Sequence, residues 1–228
     1  MLHRFYAIHD QAITIEFSQE ISEEANECVI AMQHAIESNP FKGFIECVPA
    51  YGSLTVYFND QISALDVRSQ LKDFSTQLSN NTKSRQITES LQQITIPVCY
   101  DTLFGFDLPW VSDYLKLSVE EIISLHIQQI YRVYMIGFIP GFPYMGILPE
   151  KLHVPRKQTP SLKIPAGSVA IAGKQTGIYP AEVPGGWQVI GRTPLIMFDP
   201  SKVPCSFLNA GDLIQFKSIT LEEFNQYS

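Results

Sequence analysis

Hydrophobic and polar positions change period several times along this chain, and each change predicts an element. Ala12-Ile13-Thr14-Ile15-Glu16-Phe17 alternates with period two, so Ile13, Ile15 and Phe17 share one face of a half-buried strand. From Ile21 the period turns helical. Ile21, Ala25, Cys28, Val29, Met32, Ala35 and Ile36 line one face, with Ser22 as N-cap and Glu23 and Glu24 against the positive helix end. Asn39-Pro40 stops that helix. Phe44 to Val48 and Leu54 to Phe58 read as two strands joined through Pro49-Ala50-Tyr51-Gly52-Ser53. Val67, Leu71, Phe74 and Leu78 then predict a second amphipathic helix, the polar stretch Ser79 to Ser90 a loop, and Ile94-Thr95-Ile96-Pro97-Val98 another strand.

The order strand-helix-strand-strand-helix-strand is that of a ferredoxin-like βαββαβ unit. Pro97 cannot donate to a ladder, so the last strand is either an edge of that sheet or already part of the next domain. The expected boundary lies near residue 90, giving an α+β domain over 1–90 and a second domain over 91–228 with a helical insertion at about 107–130. Within that insertion, Ser118-Val119-Glu120-Glu121 is a capping-box pattern, and Ile122, Ile123, Leu125, Ile127 and Ile130 follow at helical spacing. His126 lies on or beside the apolar stripe, where a packing role is commoner than a catalytic one.

Tyr131 to Ile136 reads as a strand, and beyond it the pattern breaks into short runs. Ten of the fifteen prolines and nine of the thirteen glycines fall between Gly137 and Pro200, interleaved with Phe, Tyr, Trp, Val and Ile. Disordered tracts are poor in such residues, so short strands joined by tight turns are expected, as in a small barrel. Strand candidates are Ser168 to Ala172, Trp187 to Ile190, Leu195 to Phe198 and Leu213 to Lys217, with Trp187 in or against the barrel wall. The fold class read from the pattern is therefore α+β followed by a β domain.

Composition adds exclusions. Hydrophobic residues make up 45% and charged residues 17%, as in an ordinary globular protein. The net charge of -7 is concentrated before residue 90, and no clustered positive surface suits nucleic acid. Cys28, Cys47, Cys99 and Cys205 stand far apart in apolar runs, which predicts buried free thiols. No apolar run approaches the ~20 residues of a membrane span and no leader opens the chain, so a soluble, cytoplasmic protein is expected. No histidine pair stands at metal-ligand spacing, so no metal site is expected.

The candidate chemistry sits in the loops. Gly173-Lys174-Gln175-Thr176-Gly177 is either a glycine-bounded anion loop or a plain hairpin turn; it is not a P-loop. Glu182, between Pro180 and Pro184, and Arg192, beside Gly191 and Thr193-Pro194, are charges held in rigid loops. They form either a structural pair or part of a site. Lys151, Arg156, Lys157, Lys163 and Lys174 against Glu150 make a basic strip suited to an anion, to a partner's acidic face, or simply to solvent. No Ser-His-Asp order, G-x-S-x-G elbow or paired carboxylates can be made out.

Longer blocks carry a resemblance. Gly137-Phe138, Pro140-Gly141-Phe142-Pro143-Tyr144, Pro165-Ala166-Gly167-Ser168-Val169-Ala170-Ile171-Ala172-Gly173, Gln175-Thr176-Gly177-Ile178-Tyr179-Pro180, Pro184-Gly185-Gly186-Trp187 and Ile190-Gly191-Arg192-Thr193-Pro194 resemble the allophanate hydrolase subunit 1 family. Val48-Pro49-Ala50-Tyr51, Ile96-Pro97-Val98-Cys99-Tyr100 and Phe104-Gly105 with Asp107-Leu108 extend the match to nearly the whole chain. That family includes the B subunit of the ATP-dependent 5-oxoprolinase and a sporulation histidine-kinase inhibitor, and is similar to half of the carboxyltransferase region of urea carboxylase.

The resemblance implies a cyclophilin-like C-terminal barrel and partners: a homologous subunit 2/C and a LamB/YcsF-type subunit. It also implies ATP, used by the complex, to open 5-oxoproline to glutamate. In an enzyme subunit, Glu182 and Arg192 would be the catalytic candidates, with Arg156, Gln175, Thr176 and Tyr179 binding substrate on a wall shared with subunit 2. The alternative is a regulatory module that docks a sensor histidine kinase and blocks autophosphorylation.

Overall fold

The computed structural model of the chain describes residues 4–80 and 93–227. Contacts divide it into two compact units, Met1–Leu91 and Gln92–Ser228. The polar stretch read as a loop lies outside the described residues beyond Asn80, as does the expected boundary.

The first unit runs β1 (Arg4–His9), β2 (Ala12–Glu16), α1 (Glu23–Ser38), β3 (Phe44–Pro49), β4 (Ser53–Phe58) and α2 (Ala64–Asn80). Its strands form one antiparallel sheet in the order β1-β2-β4-β3. Ser22 caps α1, its side chain accepting from the Ala25 N–H at 3.1 Å. The apolar stripe of α1 (Val29, Met32, Ile36) and that of α2 (Val67, Leu71) pack on Ile13, Ile15, Leu54, Val56 and Phe58 of the sheet. The layout is ferredoxin-like with one correction to the expected order. The place beside β2 is filled by β1, whose mostly exposed residues leave no alternation to read, and Ile94 to Val98 does not join this sheet.

That strand opens the second unit as β5 (Gln93–Cys99), followed by α3 (Leu108–Leu115), α4 (Val119–Ile127), β6 (Ile130–Ile136), β7 (Pro143–Gly146), a 3-10 turn at Glu150–Leu152 and β8 (Ser161–Ile164). Then come β9 (Ser168–Ala172), β10 (Gln175–Ile178), β11 (Val183–Gly185), β12 (Gln188–Arg192), β13 (Leu213–Ile219) and α5 (Leu221–Asn225). Seven strands close a barrel in the order β10-β7-β6-β13-β5-β12-β9, and β8 and β11 form a separate ribbon. No helix interrupts residues 160 to 217. Pro97 is tolerated because β5 makes its long ladder with β13, in parallel, and meets β12 only at Cys99↔Arg192.

Alternation sorts the barrel residues into two cores. Val169 and Ile171 of β9, with Ile190, Val98, Val133 and Phe216, fill the interior. Ala170 and Ala172 of the same strand, with Val189, Tyr179, Phe142 and Trp187, build a second apolar layer on the other face. Trp187 thus packs against the wall. A strand buried on both faces reads as a continuous apolar run, which is why Ser168 to Ala172 shows no polar alternation. Leu195 to Phe198 is not a strand; only an isolated bridge, Phe198↔Ser206, remains there.

All four cysteines are free, but only Cys99 is fully buried. Among the described residues no helix is long and apolar enough to cross a membrane, and no group of three or more His, Cys, Asp or Glu could hold a metal.

Candidate functional site

The site residues expected from sequence fall into separate places on the second unit. Thr176 is corrected first. It alternates with Ile178 on the inner face of β10, is 0% exposed, and cannot touch a ligand from a loop. Its hydroxyl lies 3.0 Å from His126 Nε2 and donates to the Ala170 carbonyl at 3.3 Å. That leaves the Thr176 oxygen to accept from Nε2–H, so Nδ1 accepts from the Tyr100 hydroxyl at 2.8 Å. The His126 ring stacks on Phe216. Burial lowers its pKa to about 3 from 6.5, so the imidazole is a neutral linker of α4 to the barrel interior.

The Gly173 loop resolves as a plain hairpin. Ala172 pairs with Gln175, leaving Gly173 and Lys174 as the turn, and Gly173 takes φ +57. The Gly173 N–H is committed to the Val154 carbonyl at 2.7 Å, so it is not offered to an anion. Gln175 is half-buried at the start of β10, between Gly146 and Ala172.

Glu182 and Arg192 are not paired with each other. Glu182 meets Lys163 across the β8–β11 ribbon at 3.2 Å, both side chains mostly solvated. Such a pair contributes little. Tyr179 and Arg156 belong to an aromatic cluster: Phe142 lies edge-on to Tyr144, Tyr179 and Trp187, and the Arg156 guanidinium sits 5.9 Å above the Trp187 ring. Burial raises the phenol pKa of both Tyr144 and Tyr179, and the Arg156 charge opposes that rise. Phe138, exposed and held at φ 64, projects beside this cluster edge-on to Phe142. A bulky residue at positive φ is strained.

Arg192 lines a cleft of about 330 Å³. Its Nε donates to the Ala166 carbonyl at 2.8 Å and its guanidinium lies 5.7 Å from the centre of the Phe104 ring. The walls include Ala166, Gly167, Pro180, Thr193, Leu195 and Ile196, closed on one side by Phe224 and Tyr227 around α5. Phe224 reaches this wall because a capping box, Thr220 with Glu223, starts α5 there, and its ring packs on Phe104 at 4.4 Å. Gly167 fixes the rim: it has φ +81, and a Cβ there would lie 2.4 Å from the Thr193 carbonyl oxygen.

Sequence reasoning missed a second charged centre. Lys157 Nζ lies 2.7 Å from Asp107 Oδ2, with the two side chains 15% and 16% exposed, and donates to Ser161 Oγ at 2.8 Å. The same Asp107 oxygen accepts from the Val189 N–H at 2.7 Å, tying the start of α3 to β12. Asp107 stood in a block read only as a family signature, and Lys157 only as one base in a strip. Their pairing joins segments far apart in sequence, which no local pattern shows.

In chemical terms the second unit offers fixed cations, phenols and apolar walls. Burial raises the thiol pKa of Cys99, as it does that of Cys28 and, to about 12, that of Cys47 in the first unit. Those thiols and the sealed imidazole are poor nucleophiles and proton carriers. The arrangement suits binding and orientation.

A closed barrel following an antiparallel α+β sheet is the fold of carboxyltransferase-type domains. The Kluyveromyces lactis urea amidolyase superposes on 98% of this chain with a TM-score of 0.73, covering 15% of that longer chain at 16% identity, a likeness of fold alone. Residues 3–208 match the family described as carboxyltransferase domain, subdomain C and D, and the chain belongs to that family. It is 42% identical over 226 residues to the 5-oxoprolinase B subunit of Bacillus subtilis (strain 168), spanning 96% of this chain and 93% of that protein. The 5-oxoprolinase B subunit of Escherichia coli O157:H7 is 36% identical, over 93% of this chain and 94% of that one. Among solved structures, TTHA0988 superposes with a TM-score of 0.80 at 35% identity; the match covers 92% of this chain but only 40% of TTHA0988.

Proposed function

We propose that this chain is a non-autonomous subunit of an ATP-dependent 5-oxoprolinase. It works with a homologous subunit 2/C and a LamB/YcsF-type subunit to open 5-oxoproline to glutamate. The observation that carries this reading is the 42% identity, over nearly the full length of both chains, to a protein named as the B subunit of 5-oxoprolinase.

The site chemistry supports a dependent role. Opening a lactam needs an activated carbonyl and a held nucleophile. The second unit supplies a fixed guanidinium at Arg192 and an aromatic face at Arg156, Tyr144 and Trp187, whereas its buried imidazole and its Cys99 thiol are not activated. Arg192 and its cleft position substrate, and carbonyl activation comes from the partner subunits together with ATP. Glu182, solvated and paired with Lys163, lies on an exposed ribbon open to a partner.

Reconstitution tests this directly. The purified chain should leave 5-oxoproline and ATP unchanged, the partner subunits without it should do the same, and the mixture should release glutamate and ADP. Turnover by the lone chain, or full turnover by the partners without it, would overturn the assignment.

A further inference from the structure

We propose that the Arg192 cleft is the subsite that holds the substrate's carboxylate, and that it accepts a small, flat cyclic amide acid of the size of 5-oxoproline. This rests on the 5-oxoprolinase reading and assigns it a place on this chain.

The cation is set in position before any ligand arrives. Nε is held by the Ala166 carbonyl and the guanidinium plane by the Phe104 ring, so the group has little freedom left to lose on binding. Its terminal nitrogens meet no carboxylate among the described residues, whereas Lys157, Lys163 and Lys202 each have an acidic partner. A guanidinium with its fork open matches a carboxylate bidentately. Arg192 is also the only charged residue lining the cleft among the described residues. A triphosphate would call for several cations or a cradle of backbone N–H groups, so a single carboxylate is the better match.

Shape narrows the ligand further. Besides Arg192, the side chains of Pro180, Pro194, Leu195, Ile196 and Phe224 give apolar wall for ring methylenes, while Thr193 and Tyr227 add hydroxyl-bearing side chains that suit a ring amide. About 330 Å³ is at the small end of ligand pockets and leaves part of the space for a second group at the open side. The rim is rigid: the Gly167 N–H donates to Tyr179 O at 2.7 Å, and the Thr193 N–H donates to Gly167 O at 2.9 Å.

The test is ligand titration of the isolated full chain, followed by NMR chemical shifts or calorimetry, with no ATP and no partner. The probes are 5-oxoproline, 2-pyrrolidinone (the same ring without the carboxylate) and glutamate. The expected result is saturable binding of 5-oxoproline, with 2-pyrrolidinone at least tenfold weaker and glutamate weaker than 5-oxoproline. Arg192→Lys should weaken 5-oxoproline at least tenfold while leaving the melting temperature unchanged. Ile196→Asp gives a second reading if Arg192→Lys folds poorly. Ile196 is exposed at the mouth, and a carboxylate there should repel the ligand by a similar factor without loss of fold. Equal binding of 2-pyrrolidinone, indifference to both substitutions, or no binding of 5-oxoproline by the lone chain would overturn the proposal. A reconstituted assembly that still turned over would in that case leave the subunit assignment standing and move the carboxylate subsite to a partner.

Discussion

The imidazole of His126 is held between the Tyr100 hydroxyl and the Thr176 hydroxyl, and burial lowers its pKa to about 3. The unfolded chain therefore binds the extra proton between about pH 6.5 and pH 3. The stability gained by keeping the ring neutral is complete above pH 6.5 and is lost as pH falls toward 3. Between about pH 7 and about pH 5 this one group should cost about 2 kcal/mol. His126→Leu removes that titration but strands the buried Tyr100 hydroxyl, at about 1–3 kcal/mol, while the Thr176 hydroxyl keeps its bond to the Ala170 carbonyl. Denaturant unfolding should show the variant less stable at about pH 7, with the gap to the native chain narrowing by about 2 kcal/mol at about pH 5. A gap constant with pH would contradict the neutral buried ring.

Gly167 carries a second residue-scale prediction. Gly167→Ala places a methyl 2.4 Å from a carbonyl oxygen at φ +81, so it should destabilise by about 1–3 kcal/mol and weaken ligand binding through the shifted Arg192. A third concerns Lys157→Met, which leaves the largely buried Asp107 carboxylate with the Val189 N–H but without its counter-charge. The expected loss is about 1–3 kcal/mol near neutral pH, measured by thermal unfolding. No change in melting temperature would show that solvent replaces the pair.

At the scale of elements, β13 bears the closure of the barrel. It pairs with β5 in parallel over Leu213–Ile219 and with β6 on its other side, and so stands between those two strands in the barrel. A chain ending at Asp212 should lose the cooperative unfolding of the second unit, read as a broadened or missing calorimetric transition; a native-like transition would mean closure is not needed. The elements were legible wherever one face is buried and the other is not: β2, α1, α2 and α4 follow their hydrophobic period, and the Ser22 and Ser118 caps form as the local residues predict. Legibility failed where neighbours decide. β1 is almost wholly exposed and carries no alternation. Leu195 to Phe198 has strand-like residues but gains only a single bridge, because Arg192 to Leu195 turns around Gly167 and Leu195 itself lies on the cleft wall. Pro97 left two assignments open, and the ladder with β13 chose between them.

For the whole molecule, the sequence blocks from Gly137 onward were enough to indicate the family, since they form the barrel's turns, its second apolar layer and the cleft rim together. The site was only partly legible. Arg192 stood out as a charge in a rigid loop, but the ring that orients it, Phe104, and the ring that closes its cleft, Phe224, come from opposite ends of the second unit. Thr176 was drawn into the site by its neighbours in a glycine-bounded run, although period two turns it inward. In TTHA0988 the region matching this chain makes up 40% of a longer polypeptide. The contribution proposed for the chain is a preset cation in a small, partly apolar cleft. The most direct check is glutamate release by the reconstituted assembly carrying Arg192→Lys, beside the melting temperature of the variant chain. A fall of at least tenfold in turnover, about 1.4 kcal/mol of transition-state stabilisation, with melting unchanged is the predicted result; turnover within about threefold of the native assembly would contradict it.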